Sequence, residues 1–292
     1  MDKTNPTTPD LLADAVAWIE QQLGEPLTLE NIAEHAGLSP YHFSRLFTAR
    51  MGRSVMAYVR GRRLIRGARR LLESPDTKLV DLAFDCGFES QEAFTRAFKR
   101  LFGVSPGRFR SGFAVAPMEG QFPMHAPSDV SSSVAQLPEL IFLDEFTVAG
   151  PARSFDQTTK AEIPQLWPAL IGALPFEGQV PSWKTYGVVW GVDRSEGSFR
   201  YMAGVGVEAD TTLPKGFEAK TISASRYAIF RITLNGSALH PQIQAAMATI
   251  WGKLLPTSGL KLADGPDFEL YEDEFAPDRA GATIDFYIPV ET

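Results

Sequence analysis

An internal repeat constrains this 292-residue chain more than any other feature of its sequence. Seven residues within 33–52 recur in the same order within 83–103. The repeated residues are Ala33, Gly37, Ser39, Phe43, Arg45, Phe47 and Gly52, followed by Ala83, Gly87, Ser90, Phe94, Arg96, Phe98 and Gly103. The separation between the copies changes from 50 to 51 residues between the glycine and the serine. The fold is therefore expected to contain the same small unit twice.

Each copy predicts two helices joined by a turn. An alanine four residues before a glycine permits close helix packing, and the glycine can adopt the positive φ of the turn. Ser39 and Ser90 are suitable N-caps for the second helices, and Pro40 is suitable for a first helical position. The sequence thus predicts two helix-turn-helix units.

The second helix of each unit has an apolar face and a polar face. Apolar side chains recur at the three- and four-residue spacing of a buried face. They are Phe43, Leu46 and Phe47 in the first unit and Phe94, Ala97 and Phe98 in the second. The opposite faces are expected to be free to contact DNA. Their candidate DNA-binding residues are Tyr41, His42, Ser44, Arg45, Thr48, Gln91, Glu92, Thr95, Arg96 and Lys99. Arginine can bond guanine, and glutamine or threonine can read other base edges; for each residue, a phosphate contact or simple solvation is the alternative.

The segment between the units and the distribution of charge also favour DNA binding. Residues 55–73 predict one arginine-rich helix, whose length of about 28 Å is close to the ~34 Å that separates successive major-groove entries. Residues 1–112 contain 16 basic and 13 acidic residues, whereas 113–292 contain 12 and 22, so the halves carry +3 and −10. Arginine-rich helices can also be ordinary solvated surfaces, so charge alone does not identify a DNA-binding half.

Residues 10–112 resemble the AraC/XylS DNA-binding domain. The resemblance rests on LTLENIAEHAGLSPYHFSRLFTARMGRS and LVDLAFDCGFESQEAFTRAFKRLFGVSPGRFR, which ends in the closing GVSPGRFR of that family. It implies an all-α domain of seven helices, over residues 1–112, with recognition helices at 40–51 and 91–102. Cys86, the one cysteine of the chain, falls in the first helix of the second unit, where we expect a small buried apolar side chain.

A linker and a second domain are predicted after these helices. Residues 113–136 are rich in proline and serine and lack a sustained period, so they predict a linker. Residues 137–292 predict an α+β domain made of a duplicated strand-helix-strand-strand unit with pseudo-two-fold symmetry. The predicted strands are 140–155, 183–192, 198–208, 217–233, 267–273 and 281–290, and the predicted helices are 158–174 and 238–255.

A cleft between the two copies is the predicted ligand site. Strand alternation places Tyr186 and Trp190 on one face, and Glu269 with Tyr271 on one face of a later strand. A carboxylate flanked by aromatic rings would select lipophilic organic cations. The alternative is that these aromatic side chains belong to the core.

Residues 137–290 are similar to the GyrI-like small-molecule-binding domain, through DFELYEDEF and ATIDFYIPV. The resemblance implies that Glu269 faces the ligand. Some relatives in this family hydrolyse small electrophiles with the same acid and others bind proteins, so a DNA-tethered hydrolase and a protein-binding module remain alternatives. No GxSxG or Ser/His/Asp pattern supports catalysis.

The sequence as a whole predicts a non-enzymatic transcription regulator with multidrug-sensing relatives. Its expected partners are promoter DNA, a small effector and RNA polymerase. We expect no cofactor, structural metal or catalytic residue, since the four histidines and one cysteine lack ligand spacing. The polar amino terminus and the absence of a long apolar run predict a cytoplasmic, nucleoid-associated protein without a membrane segment.

Overall fold

The computed structural model describes residues 11–111, 134–156, 158–191, 198–273 and 275–291. The first of these ranges is helical. Its helices are α1 Leu11–Gln21, α2 Leu29–His35, α3 Pro40–Met51, α4 Val55–Glu73, α5 Leu79–Asp85, α6 Gln91–Phe102 and α7 Pro106–Arg110. The predicted helices 40–51, 55–73 and 91–102 match α3, α4 and α6 in their bounds.

Local capping explains these bounds. The side chains of Ser39 and Ser90 accept hydrogen bonds from backbone amides in the first turns of α3 and α6. Both helices end at a glycine in the left-handed region, Gly52 with φ 67° and Gly103 with φ 77°. The two copies of the sequence repeat thus form two similar helix pairs, α2 with α3 and α5 with α6.

Two hydrophobic clusters support the helical half, and α4 contributes to both. At Gly67 of α4, an added Cβ would lie 2.8 Å from Sγ of Cys86, so only glycine permits this approach. Burial raises the pKa of the Cys86 thiol to about 11. Cys86 is a small buried side chain, as predicted.

The second half is built on one nine-stranded sheet. Its strands are β1 Glu139–Leu143, β2 Phe146–Gly150, β3 Ala152–Phe155, β4 Thr185–Trp190, β5 Phe199–Val207, β6 Glu218–Ile222, β7 Ser225–Thr233, β8 Asp267–Tyr271 and β9 Thr283–Val290. The order is β1-β7-β9-β8-β4-β5-β2-β6, with β3 beside β5, and the pairs are antiparallel.

Helices cover one face of this sheet. A 3-10 segment, Lys160–Gln165, leads into α8 Leu166–Ile171. Later, α9 Leu239–Thr249 continues through a π-helical turn, Ile250–Leu254, into α10 Leu255–Ser258. Residues of α8 pack on β5, and residues of α9 and the π turn pack on β7 and β9.

Two predicted strands are wrong in extent, because turns divide them. Residues 140–155 form three strands, the last two separated by Pro151, which has no amide hydrogen for the ladder. Residues 217–233 form β6 and β7. The α+β character agrees with the prediction, while the duplication with pseudo-two-fold symmetry stays a prediction.

Residues 113–133 of the predicted linker 113–136 lie outside the described residues. At its end, Val134 is buried and forms a bridge to Ile232 of β7, so it packs with the sheet. Within the described ranges, no helix is both long enough and apolar enough to cross a bilayer.

Candidate functional site

The candidate site is a cavity of about 540 Å³ between the helical half and the sheet. Helix α3 forms one wall through Ser44, Arg45, Thr48 and Ala49. Helix α9 and Trp251 form a second wall, and the 3-10 segment contributes Lys160. The floor is the sheet, which contributes Tyr201 and Glu269. The cavity therefore lies between the two halves of the chain, and both supply side chains to it.

Glu269 is the central acid of this floor. It is buried in the middle of β8, and its Oε2 accepts hydrogen bonds from the hydroxyls of Tyr201 at 3.0 Å and Tyr271 at 2.8 Å. Burial raises the pKa of Glu269 above its ordinary value, although these hydrogen bonds and Arg45 lower it. Across the ladder its neighbour is Gly187, whose missing side chain leaves room for the carboxylate.

A second buried acid lies two residues earlier on the same face of β8. Asp267 is fully buried, and burial raises its pKa while Arg45 and Tyr41 lower it. Nη1 of Arg45 lies 3.2 Å from Oδ2 of Asp267, and the hydroxyl of Tyr41 donates a hydrogen bond to the other oxygen. Both partners of Asp267 therefore come from α3, although the acid belongs to the sheet.

Aromatic rings surround the guanidinium of Arg45. Its central carbon lies 5.0 Å from the ring centre of Trp251 and 5.9 Å from that of Phe286. Nη2 also lies 4.0 Å from the sulfur of Met247. A cation between ring faces and buried carboxylates is held by both cation–π attraction and charge. The site can thus hold an organic cation, and in this structure it holds an arginine of the same chain.

Further contacts join α3 to the π turn after α9. The His42 ring stacks on Trp251 with centres 6.0 Å apart, and Nη1 of Arg50 donates to the carbonyl of Gly252 at 3.0 Å. Burial lowers the pKa of His42 to about 4, with Arg45 acting in the same direction and Asp264 opposing it. His42 is therefore held neutral in this contact.

The expectation that the polar face of α3 is free to contact DNA is wrong for this arrangement. His42 is 1% exposed and Ser44 is 8% exposed, while Tyr41, Arg45 and Thr48 are half-buried. The apolar spacing in α3 correctly identified the face that packs on the helical core. It could not identify the sheet and helices of the C-terminal half that cover the opposite face. Whether these five residues read DNA stays a prediction.

The equivalent face of α6 is open. Gln91, Glu92, Arg96 and Lys99 are exposed, and Thr95 is half-buried. The C-terminal half covers the polar face of α3 in the first unit and leaves the equivalent face of α6 in the second unit accessible. The DNA-binding role of these five residues likewise stays a prediction.

The predicted grouping of Tyr186 and Trp190 with Glu269 is wrong. In the β4–β8 register, Tyr186 is opposite Leu270 and Gly187 is opposite Glu269, so the two aromatic residues lie on the other face of the sheet. There they pack in a cluster with Phe268, and Tyr186 lines a separate cavity of about 610 Å³.

Tyr271 does lie beside Glu269, where its ring packs edge-on against Trp167 with centres 5.0 Å apart. Sequence reasoning missed Asp267, Tyr201 and Trp251. Strand alternation from Glu269 could have indicated Asp267, whereas Tyr201 and Trp251 depend on the tertiary fold. Among the described residues, no cluster of three or more His, Cys, Asp or Glu could hold a metal ion.

Comparisons with known proteins identify two regions of the chain, which correspond to the helical half and to the half built on the sheet. Residues 32–112 match the model of a helix-turn-helix domain, and residues 137–291 match that of the GyrI-like small molecule binding domain. Transcriptional regulator Rob of Salmonella typhimurium is 25% identical, over 96% of this chain and 98% of its own length. Right origin-binding protein of Escherichia coli K12 is 27% identical, over 92% and 93%. Multiple antibiotic resistance protein MarA of Salmonella typhimurium is 42% identical over 32% of this chain and 72% of its own length.

Proposed function

The chain belongs to the AraC-type transcription regulators that carry a GyrI-like small-molecule-binding domain, and we propose that this domain senses a lipophilic organic cation through Glu269. The observation that carries the proposal is the occupied aromatic and acidic site: the cation of Arg45 lies against Trp251 in a cavity whose floor contains Glu269. A diffusible cation of suitable shape would meet the same groups.

The volume and chemistry of the cavity support a small-molecule ligand. A volume of about 540 Å³ lies within the usual range for drug-sized ligands. Aromatic and aliphatic side chains provide most of its contact surface, and Glu269 provides a buried acid that can become the counter-charge. Tyr271 supports that acid from the adjacent position on the same face. Tyr186 and Trp190, which lie on the other face of the sheet, are not part of this proposal.

The helical half is proposed to bind promoter DNA through both helix pairs. In α6, Arg96 is the strongest candidate for a guanine contact, and Lys99 suits a phosphate. In α3 the equivalent arginine is Arg45. The 19-residue helix α4 would place the two reading helices in successive major grooves. RNA polymerase is the further partner through which such binding would change transcription.

A non-enzymatic role suits Glu269 better than a hydrolytic one. The hydroxyls in contact with it are those of Tyr201 and Tyr271, whose pKa values burial raises well above the ordinary value. Neither is a ready nucleophile at neutral pH. Of the two relatives that match over nearly their whole length, one is named a transcriptional regulator and the other an origin-binding protein.

Thermal unfolding of the full chain with three ligands of similar shape tests the proposal. Tetraphenylphosphonium is the cation, triphenylphosphine oxide the neutral compound and tetraphenylborate the anion. We expect the cation alone to raise the unfolding temperature of the wild type, because only a bound ligand shifts the equilibrium towards the folded state. Glu269→Gln should lose this shift.

Glu272→Gln is the matched control, because Glu272 is exposed on the same segment and pairs with Lys184 at the surface. It should keep the full response to the cation. Equal shifts with all three ligands, or a cation shift that persists in Glu269→Gln, would remove the proposed role of the acid. No shift with any of the three would favour a protein-binding role for this half.

A further inference from the structure

The two copies of the sequence repeat differ in accessibility. Ser44 of α3 and Thr95 of α6 occupy equivalent positions, and Ser44 is 8% exposed beneath the C-terminal half whereas Thr95 remains partly open. No duplex can reach Arg45 while Met247 of α9 and Trp251 lie against it, and the neighbouring Ser44 is buried at the same cavity. The structure is therefore a state in which only one of the two proposed reading helices is available.

Specific polar contacts hold this covered state. Asp267 forms an ion pair with Arg45 and accepts a hydrogen bond from Tyr41, and Arg50 donates to the carbonyl of Gly252. Asp267 is fully buried, so loss of its α3 partners would leave a carboxylate in the protein interior without compensation. These contacts extend along one side of α3 from Tyr41 to Arg50.

Arg45, at the centre of this contact, has two proposed roles that exclude each other. Arg45 is the equivalent of Arg96 in the repeat, so it is the base-reading candidate of α3. It also lies against Trp251 and beside Asp267, and so occupies the aromatic and acidic groups at the wall of the cavity that the proposed cation would need. One guanidinium cannot occupy both the acidic cavity and the major groove.

We propose that the C-terminal half holds α3 away from DNA, with Arg45 as an internal substitute for the ligand, and that an organic cation displaces Arg45 and releases the helix. This inference rests on the proposed function, since it needs α3 to bind DNA and the cavity to bind a cation. The closed state binds neither at full strength, and the open state binds both.

Thermodynamic linkage then determines whether the cation raises or lowers the affinity of the protein for DNA. A cation that binds the open state in preference to the closed state shifts the population towards the open state. Because coupling is reciprocal, the cation raises the affinity for DNA and DNA raises the affinity for the cation by the same factor.

A cysteine reporter on α3 measures this opening directly. Ser44→Cys replaces a small covered side chain, and Thr95→Cys is its matched control on α6. The native Cys86 is buried, and its thiol pKa is raised to about 11, so it should react slowly. We expect the Ser44→Cys thiol of the full chain to react with a maleimide much more slowly than the Thr95→Cys thiol.

Two substitutions should open the contact from the other side. Asp267→Asn removes the charge that holds Arg45, and Met247→Lys places a like charge where the sulfur lies 4.0 Å from Nη2 of Arg45. Each should accelerate labelling of Ser44→Cys by roughly tenfold or more, since losing one partner of a buried ion pair is strongly unfavourable. Both should also tighten binding to a labelled random-sequence duplex.

Controls separate opening from damage to the fold. Met247→Leu keeps the apolar volume, and Asp285→Asn removes an acid that pairs with Arg231 away from α3. Neither should change the labelling of Ser44→Cys, and no variant should change that of Thr95→Cys. Equal labelling rates for the two reporters in the wild type, or no acceleration with Asp267→Asn and Met247→Lys, would overturn the inference.

Tetraphenylphosphonium distinguishes this inference from the function on which it rests. Acceleration of Ser44→Cys labelling by the cation supports release of α3. If the cation stabilises the chain without accelerating labelling, sensing stands and displacement of Arg45 is wrong. If the cation does not bind while Asp267→Asn still exposes Ser44, the closing contact stands and the cation as its trigger is wrong.

Discussion

Gly187 lies directly opposite Glu269 across strands β4 and β8, and a Cβ added to it would lie 2.5 Å from Oε2 of the carboxylate. The same Cβ would also overlap the hydroxyl of Tyr201. The absence of a side chain at this position thus creates the space in which the acid receives its hydrogen bonds. The shape of the site depends on a residue with no functional group.

Gly187→Ala should therefore destabilise the fold and disturb the acid. We expect a loss of about 1–3 kcal/mol in the free energy of unfolding, the usual effect of overpacking a filled interior. Urea denaturation measures it. Gly206→Ala on β5 is the matched control, because its Cβ would meet Val180 at an ordinary 3.4 Å. A similar loss in both variants would mean that strand propensity, and not the space at Glu269, is responsible.

The raised pKa of Glu269 predicts a pH dependence with a definite sign. A carboxyl group whose pKa is higher in the folded state binds more protons there than in the unfolded chain. Its contribution to stability is thus full below the ordinary pKa of 4.5 and is lost as pH rises through the folded value. Glu269→Gln lacks this titration, so the wild type should lose stability relative to the variant as pH rises from 4.5.

Urea denaturation of the wild type and of Glu269→Gln at several pH values above 4.5 measures how the difference in their unfolding free energies changes with pH. Asp267 titrates with the same sign in both proteins, so it largely cancels from the difference. A stability difference that stays constant, or that favours the wild type as pH rises, would contradict burial as the dominant influence on Glu269.

His42 predicts the opposite dependence. Burial against Trp251 lowers its pKa from 6.5 to about 4, so the unfolded chain binds more protons between these values. The His42 imidazole should consequently contribute a loss of roughly 3 kcal/mol to the unfolding free energy of the wild type as pH falls from 6.5 to 4. His42→Gln should lose less over the same interval, and comparison of the two by urea denaturation isolates the imidazole. Parallel curves would show that His42 is not buried as a neutral group.

Local signals and long-range contacts explain which features could be predicted from the sequence. The bounds of α3 and α6 were predictable because Ser39, Gly52 and Gly103 act within a few residues of the helix ends. The face of the sheet on which Tyr186 lies was not predictable, because it depends on the β4–β8 register that places Gly187 opposite Glu269.

The covered face of α3 is a still longer-range feature. Tyr41 and Asp267 are 226 residues apart, and no periodic pattern connects them. Glu269 was identified by a family resemblance, whereas its neighbour Tyr201 lies on another strand and required the sheet order. The helical half was therefore predicted closely, and the site between the halves only at its central acid and the neighbouring Tyr271.

The two arginines of the repeat give a final prediction about DNA binding. In the wild type, Arg96→Ala should weaken binding to a selected DNA site by about 1–3 kcal/mol and relax specificity at one base position, if Arg96 reads a guanine. Arg45→Ala should have a smaller effect on the wild type, because Arg45 is already held by Asp267 and α3 is covered. In an Asp267→Asn background, Arg45→Ala should cost as much as Arg96→Ala.

Binding assays on the selected site and on its single-base variants measure affinity and specificity for five proteins: the wild type, Arg96→Ala, Arg45→Ala, Asp267→Asn and the double variant. The comparison within each background also cancels any general loss of stability caused by Asp267→Asn. Uniform weakening across all base variants would make either arginine a phosphate contact. An equal effect of Arg45→Ala in both backgrounds would mean that Asp267 does not control access of α3 to DNA, because the loss of the acid would then leave the arginine's contribution unchanged.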